Sequence, residues 1–397
     1  MQWPREFMWG TGASSTQCEG AASTSDWWEW ERRGKAPLSG EGNGFAGRFA
    51  EDFELLARLG LTHHRLSIEW ARVEPEEGRH DPEAIAHYRD VLAAASAAGV
   101  TPWVCLHHFT LPHWFAGAGG FLVDDNRTRH WLRHVNFMAE TFGDLVGGWQ
   151  PVNETNYYAA AAYRGRGWPP GHNDKNEWAA VSEGIQLATA EAAVLLRHTG
   201  VPVASIFGLS CEVTLDDRPD TAAKAASLRA INWDAGIGLF RDGVLRIPGR
   251  KPVVRPDLAG SFDLVGFSYY ATIGVAAGRV VPYPADAPLS PLGYAISAAG
   301  LGLVLTRLAD ELPGTPLLVA EYGIGTDDDA VRARYLTDGL TVIHDALSRG
   351  IDIRGLFHWT AVDNYEWQHG FDVRFGIMDR QRAVHPSAHV LAREAAQ

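Results

Sequence analysis

A chain of 397 residues with 46% apolar and 21% charged residues reads as a soluble globular protein with a substantial core. Its formal charge of −13 excludes the basic stripe that a nucleic-acid partner demands. The cysteines Cys18, Cys105 and Cys211 lie far apart without metal-ligand spacing, so no metal site or disulfide framework is expected and a reducing, cytoplasmic setting fits.

The opening stretch, Met1 to Gly12, lacks the basic region and apolar run of a signal peptide. No run of 18 uncharged apolar residues appears, so no membrane partner is expected. Eight short apolar runs follow one another as candidate buried strands: Phe7–Ser14, Leu61–Ile68, Thr101–His107, Gly148–Asn153, Val203–Leu209, Leu264–Tyr269, Leu317–Glu321 and Gly355–Trp359. Helical patterns lie between them. Ala46–Leu59 stops at Gly60, and Asp81–Ala98 opens on an Asp-Pro start and stops at Gly99. Asn126–Phe142, Glu177–His198, Thr221–Phe240 and Asp329–Ser348 carry the same spacing. Strand–helix alternation without a linker predicts one α/β domain over residues 1–397, a (β/α)8 TIM barrel. An open doubly wound sheet alternates too, but no glycine-rich phosphate loop follows a strand.

In such a barrel the chemistry sits at the C-terminal ends of the strands. Those ends read Gln17-Cys18-Glu19, His107-His108-Phe109, Asn153-Glu154, Tyr269-Tyr270, Glu321-Tyr322-Gly323 and Trp359 with Glu366-Trp367. Polar and aromatic groups from six strands therefore converge on one rim, as at a sugar site. Fifteen tryptophans, many beside Gly, His, Asn or Glu, include candidate platforms for the apolar face of a sugar ring, although most tryptophans fill cores. Splitting a glycosidic bond takes two carboxyl groups flanking the anomeric carbon. Glu154 ends the fourth strand and Glu321 the seventh, and opposed strands can aim two side chains into one mouth.

The ordered blocks resemble glycoside hydrolase family 1, the β-glucosidase family, from residue 3 to about residue 389. They are Phe7-Met8-Trp9-Gly10 with Ser15-Thr16-Gln17-Cys18-Glu19-Gly20, then His63 to Trp70, then Leu106 to Pro112. Val152-Asn153-Glu154, Val319 to Gly323, and His358 to Trp367 with Arg374-Phe375-Gly376 complete the set. The resemblance implies a retaining mechanism with Glu321 as nucleophile and Glu154 as acid, then base. It implies that Arg65 favours the ionised nucleophile by opposite charge, that Tyr270 aims it, and that Asn153 donates to the sugar 2-OH. Gln17, His108, Glu366 and Trp367 would hold the other hydroxyls, and Trp359 would stack beneath the ring. His107, His113 and Cys18 read as structural.

Glu366, with Gln368-His369-Gly370 and no lysine behind it, predicts a neutral glycone rather than a 6-phosphosugar. The expected substrate is a small β-glycoside or oligosaccharide, a β-glucoside or its galacto and fuco analogues, and no cofactor is called for. Four positions depart from the family pattern: Thr155 for proline, Phe109 for tryptophan, Ser268 for asparagine and Tyr322 for asparagine. The short stretch between Tyr270 and Glu321 implies trimmed rim loops and an open aglycone side, suited to bulky or hydrophobic aglycones. Transglycosylation uses the same intermediate and remains an alternative. A catalytically silent sugar-binding barrel, the other alternative, has no need of a nucleophile.

Overall fold

The computed structural model describes residues 3–397. Eight parallel strands form the inner wall: β1 (Met8–Gly12), β2 (His63–Ser67), β3 (Thr101–His107), β4 (Gly148–Val152), β5 (Phe207–Gly208), β6 (Val265–Tyr269), β7 (Leu317–Tyr322) and β8 (Ile353–Trp359). They run in the order β4-β3-β2-β1-β8-β7-β6-β5. A parallel bridge between Trp149 and Val203 joins the two ends, with Ala204 N–H donating to Trp149 O at 2.9 Å. The predicted (β/α)8 barrel is present and closed.

All eight expected strands appear, but the fifth is interrupted. Only Phe207–Gly208 forms a ladder, while Val203 and Ala204 make single bridges. Between them the Ser205 hydroxyl takes the place of a backbone partner. It donates to Gly266 O at 2.9 Å and accepts from Gly266 N–H at 3.0 Å. A side chain at position 266 would push a Cβ to 2.1 Å from Ser205 O, so glycine is required there.

The helices close the outer layer, and their starts follow the expected chemistry. Asp81 accepts from the Glu83 and Ala84 N–H groups ahead of Pro82–Ala97, and Asp328 does the same for Asp329–Ser348. Two predicted helices are broken. Asn126–Phe142 opens with a wide turn at Arg127–Trp131 before Leu132–Phe142. Thr221–Phe240 divides into Pro219–Arg229 and Ala235–Asp242 around a wide turn at Ala230–Asp234. The wider turn slips the helical phase, which a pattern of apolar residues alone does not reveal. Within it Trp233 is buried, donates to Glu311 at 3.0 Å and carries the Arg307 guanidinium 3.8 Å above its ring. The helix Lys175–Leu196 is apolar and long enough to cross a membrane by composition, yet 72% of its apolar window is buried in the protein.

The barrel interior is filled. Trp103, Cys105, Ile206, Leu318, Ala320 and Phe357 form a compact cluster inside the strands. Gly10 and Gly148 make room for the two largest rings, since a Cβ there would come within 2.5 Å of Phe357 and 2.4 Å of Trp103. Above this plug Arg65 points into the barrel from β2, fully buried, in register with Gly12 and Trp103. Ser205→Ala leaves Gly266 N–H without its partner, and urea denaturation is expected to show a loss of about 1–3 kcal/mol.

Candidate active site

β4 and β7 are not diametrically opposed, as the sequence reading assumed. β5 and β6 separate them on one side of the ring and four strands on the other. Their two glutamates still reach one mouth because each is aimed by a special turn. Glu154 adopts left-handed backbone angles, φ 41° and ψ 61°, and caps the helix Thr155–Tyr163. Its N–H donates to Ile206 O at 2.9 Å and its carbonyl accepts Tyr158 N–H at 3.0 Å, so the strained turn is held from both sides. Glu321 lies where the β7 pairing to β6 and β8 slips out of register. Both glutamates are buried.

Arg65 organises what lies between them. One guanidinium nitrogen binds Glu321 Oε1; the other binds Asn153 Oδ1 and lies 3.1 Å from His108 Nδ1. A guanidinium can only donate, so His108 Nδ1 is the acceptor and Nε2 carries the ring proton. By the same logic the Asn153 carbonyl faces Arg65, and its amide N–H2 points elsewhere. Burial, then the charges of Arg65 and His107, hold His108 well below the usual histidine range, so it is neutral. Tyr270 donates to Glu321 Oε2 at 2.6 Å. Burial and the neighbouring Glu321 and Glu154 raise its phenol well above the usual range, so it keeps the proton it donates.

Glu154 has no such cation. Burial, then the charge of Glu321, raises its carboxyl to about 8, against smaller lowering effects from Ser268 and Arg65. The Ser268 hydroxyl is buried and has no partner of good hydrogen-bond geometry. Glu366 is also raised to about 8, by burial first, with Trp359 and Gln17 opposing and Glu321 adding to the rise. Its Oε1 accepts from Trp359 Nε1 at 3.3 Å and Gln17 Nε2 at 3.2 Å. Gln17 is fixed in turn by Tyr365 O at 2.8 Å and by the Ser14 hydroxyl at 2.7 Å. The His108 ring lies 5.6 Å from Trp359 and 6.2 Å from Trp367, tilted 12° to each. Gly12 makes room for Trp359, because a Cβ there would stand 2.9 Å from the indole. Nine of the ten residues singled out in the sequence thus fall on one connected set of contacts, and Glu154, next in the chain to Asn153, joins them through the charge of Glu321.

Two features had no role in the sequence reading. Glu69 is buried and accepts from Ser15, Thr16 and Thr110 hydroxyls at 2.8, 3.1 and 2.9 Å. It thereby ties the segment bearing Gln17 to the one bearing His108. The available signal is a carboxylate set directly between the apolar residues Ile68 and Trp70 at the end of a strand. The second feature is an aromatic ramp in which Trp168, Phe109 and Trp367 pack together at 4.6–5.6 Å and Tyr157 packs on Phe109 and Trp168. Three of the six non-glycine residues with positive φ, Phe109, Glu154 and Trp367, line this region among the described residues. Of the departures, Thr155 accepts Gln186 at 2.7 Å and Tyr322 donates to Tyr335 O at 2.7 Å.

Comparison with known proteins decides the class of chemistry. The sequence matches the pattern of glycosyl hydrolase family 1 over residues 1–395. The chain belongs to this family. A β-galactosidase of Saccharolobus solfataricus is 26% identical, with 94% of this chain and 90% of that protein aligned. A bifunctional β-D-glucosidase/β-D-fucosidase of Bifidobacterium breve is 28% identical over 95% of this chain and 93% of its own length. The structure of a β-glycosidase from Pyrococcus horikoshii superposes with a TM-score of 0.90 at 29% identity, covering 99% of this chain and 94% of that one. The protein is a glycosidase of this family, and its substrates are sugars. Removing the cation at the centre of the site exposes its cost: Arg65→Ala leaves buried Glu321 unpaired, and denaturation is expected to show a loss of about 3–5 kcal/mol.

Proposed function

We propose that the protein is a retaining β-glycosidase for neutral sugars in which Glu321 is the nucleophile and Glu154 the acid, then base. The observation that carries the reading is the unequal environment of two neighbouring buried glutamates. Glu321 accepts from one guanidinium nitrogen of Arg65 and from Tyr270, whereas Glu154 is raised to about 8. Pairs of carboxyls pushed apart in this way divide the labour of general acid and nucleophile.

In the first step a carboxylate oxygen of Glu321 bonds to the anomeric carbon. The bond from that carbon to the leaving oxygen breaks, and Glu154 gives that oxygen its proton. Glu321 is then a neutral ester. The Glu321 charge that added to burial in keeping Glu154 protonated has gone, while the Arg65 charge remains, so Glu154 takes a proton from water. The water oxygen bonds to the anomeric carbon as the bond from that carbon to Glu321 breaks, restoring the Glu321 carboxylate. The Asn153 amide, turned away from Arg65, is available to donate to the 2-OH, and His108 Nε2–H to a neighbouring hydroxyl. Gln17, Glu366 and Trp367 complete the polar wall, and Trp359 supplies the ring platform.

A neutral glycone is supported by the charge balance. Of three buried carboxyls, Glu154, Glu321 and Glu366, Arg65 pairs with Glu321 alone, so a sugar phosphate would bring more negative charge into a site already short of cations. The activities named for the relatives, on β-galactosides, β-glucosides and β-fucosides, agree with a β-linked neutral hexose or 6-deoxyhexose. Release of nitrophenol from aryl α- and β-glycosides tests the assignment. Cleavage of β-glycosides is expected, with Glu321→Ala inactive and rescued by azide as an α-glycosyl azide. In the wild type kcat/KM should fall as pH rises through about 8 and the acid is lost. Glu154→Gln should lower kcat by about 10²–10⁴ and abolish that limb. Full activity in Glu321→Ala would overturn the roles.

The aglycone side extends the reading. Tyr157 is 51% exposed, one helical turn beyond Glu154, at the outer end of the aromatic ramp. It offers a ring to an aromatic or bulky apolar aglycone. Tyr157→Ala is expected to lower kcat/KM for aryl β-glucosides about 2–13-fold, the equivalent of an aromatic contact, and to leave cellobiose nearly unchanged. An equal loss on both substrates would count against it.

A further inference from the structure

Ser268 stands on β6, between the strands that serve the two glutamates. It is paired in register with Gly208 of β5 on one side and with Glu321 of β7 on the other. Leu264 lies in the cluster inside the barrel, whereas Val265, Phe267 and Tyr269 pack in the larger core outside it. Strand alternation therefore turns Ser268 inward. Gly208 shows how near Glu154 comes to this layer, since a Cβ there would stand 3.5 Å from the Glu154 carboxyl carbon. Ser268 is thus set in the floor between acid and nucleophile. The residue is 2% exposed, and its hydroxyl has no hydrogen-bond partner among the described residues. Buried hydroxyls are rarely left so, and each calls for a physical reason.

The reason lies in the two protonation states of Glu154. The charged and titratable groups that face its carboxyl are Glu321 on β7, Arg65 on β2, Tyr270 at the end of β6 and Tyr157 on the following helix. Arg65 and Tyr270 both bind Glu321, so the Ser268 hydroxyl is a donor left uncommitted beside Glu154. Protonated Glu154 carries a donor of its own, whereas the carboxylate can only accept. A hydroxyl also bonds about twice as strongly to an ionised acceptor as to a neutral one. We infer that Ser268 is a positioning residue for the second step, its hydroxyl donating to the Glu154 carboxylate once the glycosyl-enzyme has formed and steadying it as the base. This role rests on the reading of Glu154 as acid, then base.

Ser268→Ala removes the donor and leaves a small inward side chain. A carboxylate that loses a donor takes up its proton more readily, so Glu154 should titrate higher by about 0.5–1 pH unit. Two kinetic limbs then move the same way. kcat/KM, which needs the acid protonated, should hold to higher pH before it falls. kcat on a dinitrophenyl β-glucoside, whose leaving group needs no acid, reports the second step and needs the base ionised. It should be lost at higher pH on acidification, and so drop about 3–10-fold on the acid side of that limb. Ser268→Thr keeps a hydroxyl and should return both limbs to their wild-type positions. Carbon-13 NMR of labelled glutamate, assigned with Glu154→Gln, follows the carboxyl without turnover. Limbs and resonance unmoved in Ser268→Ala would overturn the inference, as would an equal displacement in Ser268→Thr. A uniform loss of rate with both limbs in place would also overturn it, because that is the mark of a purely structural hydroxyl. The reading of Glu154 as acid stands or falls separately, on loss of the alkaline limb in Glu154→Gln.

Discussion

A single buried guanidinium sets the terms for the mouth of this barrel. Arg65 rises from the interior of β2 with no exposed surface, and its guanidinium nitrogens bind Glu321, Asn153 and His108. Taking such a charge out of water costs several kcal/mol unless it is well paired. The pairing it finds is Glu321, with Asn153 and His108 completing the fork. That requirement fixes the Asn153 carbonyl towards the arginine and the His108 proton on Nε2, and so decides which polar atoms remain for a ligand. It also rations charge. One cation balances one carboxylate, and Glu154 and Glu366, equally buried, are driven towards their protonated forms. Those two carboxyls lack the pairing that Glu321 has, and burial, reinforced by the charge of Glu321, raises both.

Around this centre the rim segments are held by contacts that do no chemistry. Glu69 gathers three hydroxyls from two loops, so Gln17 and His108 are placed relative to each other by a carboxylate that touches neither. Glu154 is positioned by the two backbone bonds that flank its left-handed turn. Such strain persists only where the surroundings determine it, which here means β5 on one side and the helix start on the other. The aromatic ramp from Trp367 to Tyr157 adds a graded exit, buried at the glycone end and exposed at the other. The interrupted β5 belongs to the same economy of space, because Ser205 and Gly266 bring two strands close where the barrel closes.

Much of this was legible in the sequence for identifiable reasons. Strands buried on both faces must be short apolar runs, and helices that cover them must be amphipathic, so the alternation from Phe7 to Trp359 carried the barrel. Strand ends must hold the chemistry, so Asn153-Glu154 and Glu321-Tyr322 stood out against apolar cores. The resemblance to glycoside hydrolase family 1 then linked Arg65, Tyr270, Gln17, His108, Trp359, Glu366 and Trp367 to the same site, and their side chains meet there. Local pattern failed where a non-local contact overrides it. The wide turn at Ala230–Asp234 places Trp233 under Arg307, and the break in β5 depends on a hydroxyl bonding to the next strand, neither of which has a local signature.

What the sequence alone determined, then, is the identity and order of the candidate reacting groups, because residue type and strand position are properties of the chain itself. Which glutamate is paired, which nitrogen of His108 carries the proton, and that Tyr157 stands exposed while Phe109 is buried were decided by tertiary structure. These properties depend on distance and on exclusion from water. Residues 65, 154 and 321 acquire a shared electrostatic balance only when the barrel closes and removes the solvent between them.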